Sequence, residues 1–545
     1  MKRKAVAAVL TAVMVASMFT GCGSDNGSSS AKSASAASAA SAANDTVDED
    51  GKVNGIMYQE GLPLVDEGDY TFSIFCDDSS ESGEFIMLDE FKKQTNVDVD
   101  LKIYPYETAT ERLNLDLNSG DYADVIGGWT LSDNAILTYG VNQGVFIPLE
   151  DYFEKYCPNI SAILDLPGVR EKMTAPDGHI YTIPYVCTDT TVGYSPYINT
   201  KWLENVGMSM PTTTDEFEAV LKAFKEQDAN GNGDPNDEVP FAVSHQFFKF
   251  VLNMFGMQSN GEFSVVDGEY LYDPENPNYE KFIDSMRELY AEGILPKEFV
   301  TLEGADFNTL GASNTLGSYV GYAEYSKNYT ISCRELDEDA FYQCVIPIPG
   351  PDGAQNIPAR AKVSSTTYIT VKALQEGKLE RILQFFDYVY SDEGIELTNY
   401  GIEGTNFEMV DNKPTLVPPY NESFAVAREN GLIPSTIPFC FTEDVYMQIL
   451  MGGVTYDELE DSGQTFIDGM TINEPYYYDE PPVIQTEAYA DHFDLLEQQV
   501  ALRDKYIMGQ ISKDDYNSGY EKLKQGGLNN VIEQGKEAYQ KISAQ

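Results

Sequence analysis

The segment Asp228-Ala229-Asn230-Gly231-Asn232-Gly233-Asp234 carries oxygen side chains at its first, third and fifth positions, glycine at its sixth and a main-chain carbonyl at its seventh. That is the donor order of an EF-hand loop, in which carboxylate, amide and carbonyl oxygens wrap a hard cation. Its twelfth position is Val239, so the bidentate glutamate of a true EF-hand is missing, and an Asn/Gly-rich turn that closes the preceding helix is the alternative reading. All-oxygen ligands select calcium over zinc, and a flexible, high ligand number selects it over magnesium. The ligands expected from this pattern are Asp228, Asn230, Asn232 and the Asp234 carbonyl. The expected role is structural.

Little else in the chain is equipped for catalysis. His179, His245 and His492 are the only 3 histidines, and none falls in a G-x-S-x-G, H-E-x-x-H or Cys/His context. Phosphate loops and dinucleotide fingerprints are missing as well. The chain reads as a non-enzyme. The alternative is an exported glycoside hydrolase, since a carboxylate pair suffices and Asp+Glu number 88; an adhesin that binds surface polysaccharide is a further one. Lys+Arg 35 against those acids gives a net charge of −53, which repels nucleic acid, and no basic cluster offsets it. At 545 residues the chain exceeds one hydrophobic core.

The N-terminus carries an address. Lys2, Arg3 and Lys4 precede an uncharged apolar run from Ala5 to Phe19, too short to span a bilayer and typical of a secretory signal. Phe19-Thr20-Gly21-Cys22 resembles the lipobox of bacterial lipoproteins, whose cysteine receives a diacylglycerol and becomes the mature N-terminus. The resemblance implies removal of 1–21, lipidation of Cys22 and a protein held on the extracellular face of the cell membrane. Two acyl chains give stable anchoring where one does not. Residues 22–65 then form a tether: from Gly23 to about Asp50 the sequence is too poor in apolar residues to order itself. Roughly 40 residues of random coil span about 35 Å.

Elements that could position a site begin near Tyr70. Tyr70 to Phe75 alternates as a strand does, a polar loop is expected over Asp77–Gly83, and Phe85, Leu88 and Phe91 recur with helical period. Val97, Val99, Leu101 and Ile103 alternate again, Leu113 and Leu117 mark a helix, and Asp124-Val125-Ile126 is a short apolar strand. Such alternation predicts an α/β fold with a largely parallel sheet. Thr213-x-x-Glu216 predicts a capping box ahead of the Phe217, Val220, Leu221, Phe224 stripe. A second stripe, Ile382, Phe385, Phe386 and Val389, predicts a helix from about Gly377 to Tyr390. Beyond Cys22 the six scattered cysteines are expected to be mostly free, buried thiols.

Asp177-Gly178-His179-Ile180-Tyr181-Thr182-Ile183-Pro184-Tyr185 resembles a motif of the extracellular solute-binding proteins of carbohydrate ABC transporters. The likeness continues through Tyr197-Ile198-Asn199-Thr200-Lys201-Trp202-Leu203 and Pro211-Thr212-Thr213. Gly120-Asp121-Tyr122-Ala123-Asp124-Val125-Ile126 and Tyr390-Ser391-Asp392-Glu393-Gly394 resemble the same family. The resemblance implies a two-lobed, type II periplasmic-binding-protein-like fold whose hinge has several chain crossings. Lobe 1 would hold 66–187 and about 357–407; lobe 2 would hold 188–356 and about 408–545. The implied function is capture of a sugar or oligosaccharide in the interlobe cleft and its delivery to an ABC transporter permease, by a monomer. The family's calcium loop ends much as Asp237-Glu238-Val239-Pro240 does, with one residue inserted here, and the resemblance implies that Asp237 or Glu238 completes the shell.

A sugar offers an apolar ring face and a rim of hydroxyls, so its site needs flat aromatics and polar groups. Trp129 follows Gly127-Gly128 at the end of a strand, where related maltose-binding proteins stack a tryptophan on sugar. Asp77, Asp78 and Ser79 correspond to a cleft loop that contacts sugar hydroxyls in relatives. Tyr185 and Tyr194 flank the first expected crossing, and Tyr322 and Tyr325 follow a small-residue stretch of the second lobe. Trp202 is expected to pack. With no Arg/Lys cluster near these residues, a neutral oligosaccharide is the expected ligand.

Overall fold

The computed structural model describes residues 63–65, 70–78, 85–128, 131, 135–166, 169–187, 194–345, 348–350, 353–358, 363–433, 437–452 and 476–543. Cys22, Ser79 and Trp129 lie outside the described residues. Two mixed sheets organise the rest. The larger runs, in spatial order, Cys440–Phe441, Thr182–Cys187, Val363–Ile369, Val125–Gly127, Tyr70–Asp78, Val97–Pro105. Only Val363–Ile369 runs against its neighbours; the ladders of Tyr70–Asp78 with Val97–Pro105 and Val125–Gly127 are parallel, as is that of Cys440–Phe441 with Thr182–Cys187. The smaller sheet runs Tyr342–Cys344, Ser195–Asn199, Leu316–Gly321, Val239–Val243.

Strand–helix alternation builds the first sheet, as its pattern predicts. Phe91, Leu113 and Leu117 are buried, and the Ile382, Phe385, Phe386, Val389 stripe of helix Leu379–Val389 lies in the core. Burying one such side chain contributes about 1.5–3 kcal/mol. Phe72 meets Phe385 edge-on at 5.4 Å, which ties strand to covering helix. Beside the smaller sheet, on helix Thr200–Val206, Trp202 is fully buried, packs edge-on against Phe224 at 5.3 Å and donates its Nε1–H to Asn314 Oδ1 at 3.3 Å. It is a packing residue, as expected. All six described cysteines are buried thiols.

Two local expectations need correction. Thr213 Oγ1 accepts the Glu216 N–H at 3.2 Å and caps helix Thr214–Glu226, but the reciprocal half of the capping box is not formed. Glu216 Oε2 instead accepts from the N–H and hydroxyl of Thr212, at 2.8 and 2.7 Å. The carboxylate satisfies two donors one residue earlier. The first strand also extends through Asp77 and Asp78, because each pairs in register with Tyr104 and Pro105.

The chain crosses between the sheets more than once. It leaves the first after Cys187, enters the second at Ser195, and returns at Val363. The assignment of everything beyond 408 to the second lobe does not hold for Cys440–Phe441, which adds to the first sheet beside Thr182–Cys187. That strand satisfies backbone groups which an open edge would leave unpaired. Helix Phe493–Ile507, in the C-terminal region, packs on Tyr279–Ala291, on the side of the second sheet.

Candidate functional site

Strand direction places the candidate residues. In the first sheet the parallel strands end together at Asp77-Asp78, Gly127-Gly128 and Tyr185-Val186-Cys187. In the second, Val243 pairs with Val320 and Ser195 with Gly321, so one edge gathers Tyr194, the start of helix His245–Phe255, and Tyr322. Open α/β sheets bind ligands beyond the carboxyl ends of their strands. Eight residue steps separate Cys187 from Ser195, so these two edges lie within roughly 28 Å of each other. The crossings join the two edges that could hold a ligand.

On the second edge the side chains form an aromatic surface. Tyr194 stacks on Phe250 with ring centres 3.8 Å apart and planes at 11°. Its hydroxyl lies 2.9 Å from that of Tyr322, and Phe247 closes against both rings at 5.2 and 5.1 Å. Phe247 and Phe250 are buried, while Tyr194 and Tyr322 are half-buried, so the tyrosines are the exposed skin of an apolar block. Tyr325 stacks instead on Tyr329 at 5.6 Å, and burial pushes its phenol pKa up. It supports the block from behind.

On the first edge the environment is more polar. Asp77 is 2% exposed, and its carboxyl lies against Gly128. Gly128 has φ of +101°, and a Cβ there would come within 2.4 Å of Asp77 Oδ1. Glycine is required both for the backbone angle and for the space. Asp77 thus shapes the Gly127-Gly128 step that precedes Trp129. Asp78 ends its strand opposite Pro105. Tyr185 is half-buried, edge-on to Phe439 at 5.4 Å.

The Asp228 loop folds on itself. Asn230 Oδ1 accepts the Asn232 N–H at 3.0 Å, Asn232 Oδ1 accepts the Asp234 N–H at 2.7 Å, and Asp228 Oδ2 accepts the Gly233 N–H at 2.9 Å. Asp237 accepts from the side-chain amides of Asn230 and Asn232, at 3.0 and 2.7 Å. Glu238 Oε1 accepts the Ala229 N–H at 3.0 Å. Two carboxylate oxygens of this loop, Asp228 Oδ1 and Glu238 Oε2, are buried with no hydrogen-bond partner. Burial raises the Glu238 pKa, and the charges of Asp237 and Asp228 add to the rise. Orphaned, mutually repelling carboxylate oxygens fit a cation. Among the described residues no group of three or more His, Cys, Asp or Glu side chains is close enough to hold a metal, so any site here depends on the asparagines and main chain as well.

A profile described as bacterial extracellular solute-binding protein matches residues 78–396, more than half of the chain. The chain belongs to that family. It is 29% identical over 414 residues to the fructooligosaccharide ABC transporter substrate-binding protein FusA of Streptococcus pneumoniae serotype 4, covering 73% of this chain and 70% of the relative. It is 26% identical over 363 residues to lipoprotein LipO of Bacillus subtilis, covering 64% and 69%. The structure resembles S. pneumoniae FusA in complex with kestose, with a TM-score of 0.67, 25% identity and coverage of 87% and 99%. A FusA EF-hand mutant bound to fructo-nystose matches with a TM-score of 0.66 at 25% identity, covering 87% and 99%. The alginate-binding protein AlgQ2 without calcium ion has the same fold, with a TM-score of 0.72 at 23% identity over 88% and 100%. The fold is the two-lobed, type II periplasmic-binding-protein-like one.

Sequence reasoning missed Phe247, Phe250 and the segment around Tyr478. Phe247-Phe248-Lys249-Phe250 begins three residues after Ser244, just beyond a strand, and Tyr476-Tyr477-Tyr478-Asp479-Glu480 is an aromatic run ending in acids. Either cluster was visible, but neither has a helical or strand period to flag it.

Proposed function

We propose that this protein is a lipid-anchored substrate-binding protein that holds a neutral oligosaccharide between its two lobes and passes it unchanged to an ABC transporter permease. The observation that carries the reading is the half-exposed Tyr194–Tyr322 surface, backed by Phe247 and Phe250, at the carboxyl-end edge that the chain crossings join to the first sheet. Membership of the solute-binding family and the likeness to FusA support a sugar as the solute. In this reading Trp129, Asp78, Ser79 and Tyr185 contribute from the first edge, and Asp77 and Tyr325 hold their neighbours in place. The lobes divide with the sheets, and the protein acts as a monomer without enzymatic turnover.

The Asp228 loop would hold a structural calcium ion through Asp228, Asn230, Asn232, the Asp234 carbonyl and Asp237 or Glu238; bound there, the ion neutralises the clustered carboxylates. The orphaned oxygens of Asp228 and Glu238 support this, as does an EF-hand in the related FusA. Anchoring at Cys22 is supported by the similarity to a lipoprotein and by Gly21-Cys22; among the described residues no helix is long and apolar enough to cross a membrane. Cys22→Ser is expected to release folded protein into the medium; continued partitioning of that variant with membranes would contradict the anchor. A thermal-shift panel of saccharides tests the ligand class, since a ligand that binds only the native state raises the apparent Tm. Neutral oligosaccharides are expected to give the largest shifts, and no shift across the panel would contradict the reading.

A further inference from the structure

Lys249 sits on helix His245–Phe255 between the two phenylalanines that back the aromatic surface. Its ammonium lies 5.0 Å from the Phe250 ring centre and 3.8 Å from Glu480 Oε1. Its stem lies along Gly261, where φ is +99° and a Cβ would come within 2.9 Å of Lys249 Cβ and Cδ. Only a bare backbone leaves that channel open.

Glu480 is set from both sides of its own segment. Strand Tyr477–Tyr478 pairs with Ile357–Pro358, and the Tyr478 hydroxyl donates to Asn253 Oδ1 at 2.6 Å and accepts the Ser259 N–H at 3.2 Å. Beyond it, the Pro481 carbonyl accepts from Asn260 Nδ2 at 3.1 Å and the Pro482 carbonyl from the Tyr270 hydroxyl at 2.8 Å. The side chains keep exposures of 36% for Lys249 and 26% for Glu480, while Glu480 Oε1, the oxygen nearest Lys249, is itself buried. Lys172, on helix Val169–Met173, is crowded by strand Val363–Ile369 of the first sheet and by helix Pro158–Leu164. That crowding lowers its pKa, while the charges of Glu480 and Asp479 oppose the fall. Glu480 therefore pairs with Lys249 and, at longer range, meets the charge of Lys172.

An ammonium with three donors, held over the Phe250 ring, and a carboxylate with only acceptors beside it match the rim of a hydroxyl-rich ring. The same carboxylate repels an anionic sugar. We propose that Lys249 and Glu480 read the hydroxyls of the sugar lying on the Tyr194–Phe250 surface, and that Glu480 excludes uronic acid residues from this position. The proposal rests on the oligosaccharide reading and adds the residues that choose among sugars.

Calorimetric titration of the full-length protein with kestose and nystose as neutral probes, and trigalacturonate as the anionic one, tests it. The wild type is expected to prefer a neutral probe. Lys249→Met keeps the stem on Gly261 and is expected to weaken that binding roughly ten- to a hundredfold, the range for a lost hydrogen bond to a charged group. Glu480→Gln is expected to weaken it less and to narrow the neutral-over-anionic ratio by about tenfold or more, with Tm unchanged in both variants. A merely structural pair would move Tm and leave the ratio alone. Unaltered affinity and ratio in both variants, or wild-type preference for trigalacturonate, overturns the proposal. Absence of wild-type binding to all three probes and to a wider saccharide panel removes the oligosaccharide reading itself.

Discussion

Tyr194→Ala is expected to weaken oligosaccharide binding by about 1–3 kcal/mol, roughly five- to 150-fold in Kd. The ring is half-buried, and Phe250 stacked on it at 3.8 Å already fixes its plane. A sugar laid on such a surface would bury apolar area without ordering a mobile side chain, so little of the gain is lost to entropy. Tyr194→Phe removes the hydroxyl that meets Tyr322 at 2.9 Å but keeps the stack, and is expected to retain affinity within severalfold. Calorimetry on the two variants separates ring from hydroxyl. Wild-type affinity in Tyr194→Ala would make the block a packing feature only.

Chelation is expected to lower the Tm by several degrees, and added calcium to restore it. A ligand at 100 times its Kd stabilises the native state by about 2.7 kcal/mol. The loop follows helix Thr214–Glu226 and leads into strand Val239–Val243, so an ion there would pin the start of the smaller sheet's outer strand. Asp228→Ala is expected to abolish the calcium response while leaving sugar affinity nearly intact. The pH dependence has a definite sign. Without metal, the raised pKa of Glu238 means that its ionised form costs stability, a cost that appears as pH rises above the unfolded carboxylate's pKa. Calcium binds the ionised form, so its affinity should increase from pH 5 to pH 7.5. No calcium heat at millimolar concentration after chelator stripping would leave the loop a turn.

What could be read from the sequence was local. The Thr213 cap, the Phe217–Phe224 stripe, the packing of Trp202 and strand Val239–Val243 all follow from short-range chemistry. What could not be read depends on partners far along the chain. Val363–Ile369 inserts between Val125–Gly127 and Thr182–Cys187, and nothing in its own periodicity names either neighbour. Cys440–Phe441 is too short to carry a pattern at all. The site divides the same way: Tyr194 and Tyr322 were reachable from motif positions, whereas Glu480 reaches Lys249 only through tertiary folding. Asp77 shows the opposite failure, since a polar run suggested an open loop where the strand continues and the carboxyl is buried.

The most direct measurement is titration of the purified protein with neutral oligosaccharides, followed by chemical analysis of the recovered sugar. The expected result is saturable one-to-one binding, with the oligosaccharide returned unchanged and no new reducing ends. Absence of binding across the panel, or release of reducing ends in step with binding, would contradict a capture-and-deliver function.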